Sequence, residues 1–303
     1  MESGINKKAL VIANPTAGKK SVQANMFAIV QELCSHNYEP TVLITAAGGD
    51  ATRFACEKAK DYDIVITCGG DGTLNETITG LLNGNTKVPI GYIPCGTTND
   101  VANSLKLPKT IKRAIKNAVE GEACCHDVGK FGEKTYFSYI ASFGAFTKVS
   151  YTTPQATKNM LGHFAYVLEG AKELGNIRSY HVKFTFDDRV IEDDFIFASI
   201  SNTISFAGVF SFPKNDVRLN DGLFELLLIK NPKNPIEISN ILLNLSKGDY
   251  TSDKNMMLFH TSSVKIETEE PIIWTIDGEC SGETFDVDIE CIPDTIQIIL
   301  PKD

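Results

Sequence analysis

Apolar residues arrive in short blocks through the first 120 positions. KALVIANP, PTVLIT, DIVITC and VPIGYIP are β-branched and aliphatic runs bounded by Gly, Pro or Asn, which is how a strand buried on both faces reads. Between them, residues 20–36, 51–61, 74–83 and 109–120 carry apolar positions three and four apart, the spacing of one helix face. Strand and helix in alternation predict a parallel sheet covered by helices. Ligands of such sheets bind at the carboxyl ends of the strands.

From about Cys124 the pattern changes. KTYFSYIASFGAF, SYHVKFTFDD, RVIEDDFIFASIS, GLFELLLIK, SVKIETEEPIIWTID and TIQIILP are strand-like, with helical patterns near 157–176 and 235–247. Period-two alternation, as in Val182, Phe184 and Phe186 against His181, Lys183 and Thr185, predicts an antiparallel sheet or sandwich. The fold class read from these patterns is α/β: an N-terminal parallel-sheet domain followed by a β-rich antiparallel domain.

Composition narrows the function. The chain has 303 residues, enough for two cores, with 43% hydrophobic and 22% charged residues, as in globular proteins. No apolar run approaches the ~18 residues of a membrane span, and MESGINKK lacks the apolar core of a signal peptide; a cytoplasmic protein is expected. A net charge of −9 argues against a nucleic-acid partner, while leaving room for local basic patches such as Lys19 and Lys20. The eight cysteines form no C-x-x-C pair and are expected to be buried, reduced thiols. With five scattered histidines, any metal is expected on oxygen ligands.

The chemistry concentrates in strand-to-helix turns. In CGGDGTLNE, Gly69, Gly70 and Gly72 leave backbone N–H groups open to a phosphate, and Thr73 with Glu76 matches the S/T-x-x-E capping box of a helix start. Asp71 in an anion site requires a cation such as Mg²⁺ between carboxylate and phosphate. VPIGYIPCGTTND repeats the logic, with Thr97 three residues before Asp100. A third turn, ANPTAGKK, offers Gly18 and Lys19. Neither the P-loop nor the G-x-G-x-x-G pattern is met, which points to a different kinase class.

NPTAGK at 14–19, GGDGTLNE at 69–76, PCGTTND at 94–100, HDVGK at 126–130, LNDGLFEL at 219–226 and DGECSG at 277–282 resemble the diacylglycerol kinase catalytic-domain family, most closely the soluble bacterial members. The resemblance covers nearly the whole chain, with the motifs in order. It implies a nucleotide-binding kinase domain at 1–125, to which the strand at about 292–303 is free to return, a β-rich lipid-substrate domain at 126–291, and an active site in the cleft between them. By position it implies that Asn14, Pro15, Thr16, Ala17, Gly18, Thr45, Gly69, Gly70, Asp71, Gly72, Thr73 and Thr97 contact ATP. Asp71, Asp100 and Asp127 would organise Mg²⁺ and water around the phosphates, and Glu279 would be the general base. A separate Mg²⁺ would sit on Asp221 and the carbonyls of Arg218 and Leu223, against the alternative of a plain type I′ turn at Asp221-Gly222.

The implied reaction is phosphoryl transfer from Mg-ATP to diacylglycerol, giving phosphatidic acid, by an enzyme that meets its lipid reversibly at the inner membrane surface; a homodimer stays open. Other lipid alcohols (a sphingoid base, ceramide, undecaprenol), an NAD kinase-like activity and a catalytically silent nucleotide- or lipid-binding regulator are the alternatives. NAD kinases carry a separate downstream Asn-Glu pair, whereas the Asn-Glu here is Asn75-Glu76, inside the first motif. Val101 and Ala102, and Cys280 after the DGE run, depart from many relatives and bear on the acceptor. Large apolar groups at 160–168 and Leu174 are candidates for lining an acyl slot or resting on a bilayer.

Overall fold

The computed structural model describes residues 7–145, 178–203, 205–206, 210–211 and 218–302. The helical pattern near 157–176, with 160–168 and Leu174, lies outside the described residues. The chain forms two compact units, Met1–His126 with Asp294–Asp303, and Asp127–Pro293.

In the first unit, β1 (Lys7–Ala13), β2 (Tyr38–Ile44), β3 (Ile64–Gly69) and β4 (Ile90–Pro94) pair in parallel in the order β4-β3-β1-β2. The central strands are buried on both faces, as their unbroken apolar runs require. β2 is half-exposed and carries Pro40, which an edge strand tolerates because it has no N–H to lose from a ladder. Near the C-terminus, Ile298 pairs in parallel with Ile90. The helices are α1 (Ser21–Ser35), α2 (Asp50–Lys58), α3 (Asp71–Asn83), α4 (Asp100–Ser104) and α5 (Ile111–Glu120). α1 buries Val22, Ile29 and Leu33, and α5 buries Ala114, Ile115 and Ala118. A side chain at Gly91 of β4 would strike the carbonyl and Cβ of Ala118, so glycine sets how closely α5 approaches the sheet.

In the second unit, β7 (Ile140–Gly144), β8 (Tyr180–Phe186), β9 (Arg189–Ser201), β12 (Phe224–Lys230), β13 (Met256–Thr261), β14 (Ser263–Thr268), β15 (Ile272–Ile276) and β16 (Glu279–Thr284) form antiparallel pairs. Val287–Ile289 of β17 (Val287–Leu300) continue the pairing on β14. β5 (Glu122–Phe131) and β6 (Thr135–Phe137) make a hairpin, and β10 (Ser205–Phe206) with β11 (Phe210–Ser211) a short ladder. Phe137, Phe143, Phe184, Phe195, Phe224 and Trp274 fill the core; Phe143 meets Trp274 edge to face at 5.0 Å between centroids, a favoured aromatic geometry. Val182, Phe184 and Phe186 point inward, as their alternation predicts. The helix Pro235–Lys247 begins where the Asn234 side chain accepts the Glu237 N–H at 3.0 Å. Parallel α/β first and antiparallel β-rich second is the architecture that the patterns predict. The cysteines are all free thiols, but of the expected buried set Cys68 and Cys95 alone are buried; Cys56, Cys124, Cys125 and Cys291 are half-buried, and Cys34 and Cys280 are exposed.

Candidate functional site

The turns after β1, β3 and β4 converge in the first unit. Asn14 is the hub of the first: its backbone N–H donates to Cys68 O at 2.9 Å, its Oδ1 accepts the N–H and hydroxyl of Thr16, and its Nδ2 donates to Thr73 Oγ1 at 3.3 Å. Pro15, Thr16 and Ala17 follow in a turn that leads into Gly18 at φ 54, where a Cβ would run into the carbonyl oxygen of Cys95. Only glycine fits there. Thr45 donates its N–H to Ala13 O at 3.0 Å. The Cys95 N–H donates to Gly69 O at 2.7 Å, and a Cβ at Gly70 would lie 3.3 Å from Gly96 Cα. The two glycine turns are therefore stacked backbone to backbone.

Asp71 joins them. Its carboxylate accepts the N–H of Asp100 at 2.9 Å and of Val101 at 3.2 Å, so it caps α4 from 29 residues away. Burial pushes its carboxyl above the ordinary range, while these N–H groups pull the other way. Thr73 and Glu76 do not form the expected capping box. α3 starts at Asp71 behind Gly70, Thr73 sits one turn inside facing Asn14, and Glu76 accepts the N–H groups of Gly49 at 3.0 Å and Ala51 at 3.2 Å. Nor does Thr97 cap α4: it is exposed, and the helix starts after Asn99, which is left-handed at φ 51 and whose Oδ1 takes the Gly96 N–H at 2.8 Å. In both motifs a long-range partner displaces the local cap. The side chain of Lys19 lies outside the described residues.

The second unit holds the remaining motif residues. Asp127 is fully buried; its Oδ2 accepts the Gly222 N–H at 2.7 Å and its own N–H donates to Leu219 O at 3.0 Å. The HDVGK strand is thereby tied to the LNDGLFEL turn, and Asn202 Nδ2 donates to both Asp127 O and Leu219 O. Asp221 Oδ1 accepts the Leu223 N–H at 3.1 Å. Gly222 has φ 75 while Asp221 stays outside the left-handed region, so no type I′ turn forms. The carbonyls of Arg218 and Leu223 belong to the same short segment as this carboxylate, an oxygen-only donor set of the kind Mg²⁺ takes. Four residues on, Glu225 is buried, and burial followed by the charge of Asp221 pushes its carboxyl up to about 8.

Asp277 and Gly278 do form the left-handed pair of a tight hairpin, at φ 47 and 83, between β15 and β16. The Asp277 carboxylate is buried and accepts the N–H groups of Ser138 (2.7 Å), Tyr139 (3.1 Å) and Ile140 (3.1 Å) and the Ser138 hydroxyl (2.7 Å). Glu279 follows it, exposed, at the start of β16. Ser138 and Asn202 lie outside the motifs, and Asn99 and Glu225 lie inside them without being singled out by them. Ser138 and Asn202 act on partners distant in sequence, Asp277 and Asp127.

A family model described as the diacylglycerol kinase catalytic domain matches residues 8–131, and one described as the YegS C-terminal NAD kinase beta sandwich-like domain matches residues 140–300. A diacylglycerol kinase of Staphylococcus epidermidis is 32% identical over 301 residues, 99% of this chain and 94% of the relative. One of Bacillus subtilis (strain 168) is 32% identical over 278 residues, 91% of each. A solved structure from Bacillus anthracis str. Sterne superposes with a TM-score of 0.81 at 28% identity, covering 97% of both chains.

Proposed function

Since the chain belongs to the diacylglycerol kinase catalytic-domain family, as a lipid kinase of that family, we propose that it transfers the γ-phosphate of ATP to the hydroxyl of diacylglycerol and releases phosphatidic acid. The observation that carries this reading is the pair of stacked glycine turns at the ends of β3 and β4, braced by Asp71. Backbone N–H groups at such turns bind phosphate oxygens without side-chain steric cost. Asn14 to Gly18, Thr45, Gly69 to Thr73 and Thr97 are assigned to ATP. Asp71, with N–H groups already on its carboxylate, acts on the phosphates by fixing the second turn and through water, and Asp100, whose N–H it accepts, opens the capped helix.

Mg²⁺ supplies charge neutralisation on the phosphates when bound; Asp71, Asp100 and Asp127 are assigned to its surroundings, and Asp221 with the carbonyls of Arg218 and Leu223 to a second ion. In the transfer the acceptor oxygen bonds to the γ-phosphorus, the bond from that phosphorus to the bridging oxygen breaks, and ADP leaves with the electron pair. Glu279 takes the hydroxyl proton. The curated relatives support the acceptor class. An NAD kinase-like reaction is the second reading, since the C-terminal match is described in those terms; against it, the carboxylate of the Asn75-Glu76 pair is engaged by Gly49 and Ala51.

A labelled-ATP transfer assay in mixed micelles with diacylglycerol, sphingosine, ceramide, undecaprenol and NAD tests the proposal, with label expected in phosphatidic acid. Glu279→Gln keeps the shape of the side chain and removes the proton acceptor, so kcat on the best lipid falls by roughly 10²–10⁴ while ATP affinity stays unchanged. Near-normal turnover with chemistry rate-limiting removes Glu279 as the base. Label in NADP with none in any lipid overturns the whole reading.

A further inference from the structure

Helix α5 and the segment that leads into it carry a concentrated positive charge. Lys106, Lys109, Lys112, Arg113 and Lys116 are exposed, and the sequence has no acidic residue from 101 to 119. Within α5, Lys112 and Lys116 lie one turn apart on the outer face with Arg113 next to Lys112, Lys106 and Lys109 precede the helix, and the opposite face, with Ala114, Ile115 and Ala118, is buried in the core of the first unit.

This placement is unfavourable for an isolated helix. The amino end of a helix is the positive end of its dipole and is stabilised by acids, yet the first turn of α5 has none and holds Lys112 and Arg113. Lys112 and Lys116 repel one another across one turn. Among the described residues, the ion pair of this set is the contact of Lys116 with Glu120, at 3.5 Å. Helix stability does not account for the arrangement; an external anionic partner does.

We propose that the outer face of α5 is the surface by which the protein docks on the anionic leaflet of a membrane. The inference rests on the lipid-kinase reading for its purpose, because an enzyme whose acceptor is a bilayer lipid has to be held at the headgroup layer. The described residues include no helix long and apolar enough to cross a membrane. Charge complementarity chooses the occupant: a broad negative plane matches a row of exposed basic residues with no acid among them, and each Lys or Arg at such a surface strengthens binding roughly fivefold.

Lys112→Glu/Arg113→Glu reverses two exposed charges that belong to none of the assigned catalytic or nucleotide groups. Partitioning is measured by sedimentation onto vesicles of 70% phosphatidylcholine and 30% phosphatidylglycerol, and onto pure phosphatidylcholine. Wild type is expected on the anionic vesicles only, and the double variant to partition more than about 25-fold more weakly, with a melting temperature at or above that of wild type, since acids in the first turn suit the helix dipole. If the reversed protein proves unstable, Lys112→Gln/Arg113→Gln carries the same test with a smaller loss. Turnover on diacylglycerol in those vesicles falls with binding, whereas turnover on a short-chain, water-dissolved diacylglycerol does not. Equal partitioning of a folded variant, absence of wild-type binding, or binding to an RNA oligonucleotide in place of vesicles overturns the proposal. Vesicle binding needs no catalysis, so it fails or stands separately from the reaction.

Discussion

Asp71, Glu76, Asp127 and Asp277 are acidic residues of the motifs, and each has carboxylate oxygens engaged by backbone N–H groups of a distant segment. A carboxylate is the strongest acceptor available for an orphan N–H, so these residues tie the motifs to distant segments of the fold. Asp277 has the largest set of such bonds, and its charge is buried. Burial raises its carboxyl from an ordinary 3.8 to about 6, against the pull of its hydrogen bonds to Ser138, Ile140 and Tyr139. An acid raised on folding favours the fold when protonated: its contribution is complete below about pH 4 and is lost as pH climbs through about 6. The span is about 3 kcal/mol at 1.36 kcal/mol per unit. Urea unfolding of wild type and Asp277→Asn at pH 4 and pH 7 measures it. Wild type should lose about 3 kcal/mol more than the variant across that interval, on top of a uniform cost of the substitution at both pH values. Parallel responses would mean an ordinary carboxyl.

At the scale of elements, periodicity identifies the strands and most helices, because two-faced burial and one-faced burial leave different apolar spacings. The strands of the parallel sheet and the helix Pro235–Lys247 lie where their runs predict. Helix starts at the glycine turns are not legible. Thr73-Glu76 and Thr97-Asp100 satisfy a local rule, but at the second turn Asn99 takes the Gly96 N–H in place of Thr97, and Asp71 reaches 29 residues on to Asp100 while Glu76 reaches 27 residues back to Gly49, long-range contacts that only the folded sheet creates. The same limit applies to the hold between α1 and α5. His36, just past the end of α1, places Nε2 3.0 Å from Glu120 Oε1 and Nδ1 2.9 Å from Glu32 O. The Glu32 carbonyl, then Glu120, raises its pKa above 6.5, in spite of some burial. Stability from this imidazolium is present below pH 6.5 and is lost as pH rises through the raised value. The stability gap between wild type and His36→Gln, followed by chemical denaturation, is therefore expected to be wider at pH 5.5 than at pH 8. A gap that does not change with pH would make the contact one of packing alone.

Over the whole molecule 38 acidic residues outnumber 29 basic ones, for a net charge of −9. Five of those basic residues fall within 106–116. An anionic bilayer therefore meets two opposing forces of different range. The net charge repels the protein from afar, and the α5 face attracts at contact. Salt separates the two, because the screening length is about 30 Å at 0.01 M, about 10 Å at 0.1 M and about 3 Å at 1 M. At the lowest salt the whole molecule's charge is felt at the surface and opposes approach. Near ~0.1 M, distant acids are screened while the charges in contact with headgroups are not. At still higher salt the contact attraction is screened as well. The bound fraction on anionic vesicles should accordingly rise from about 0.01 M, pass through a maximum near ~0.1 M and then fall. Lys112→Glu/Arg113→Glu should show little binding at any of these concentrations. Sedimentation across the salt series reads the shape of the curve directly. A steady fall from the lowest salt would mean that the basic face outweighs the net charge at every distance; a steady rise to high salt would mean that no local electrostatic attraction exists.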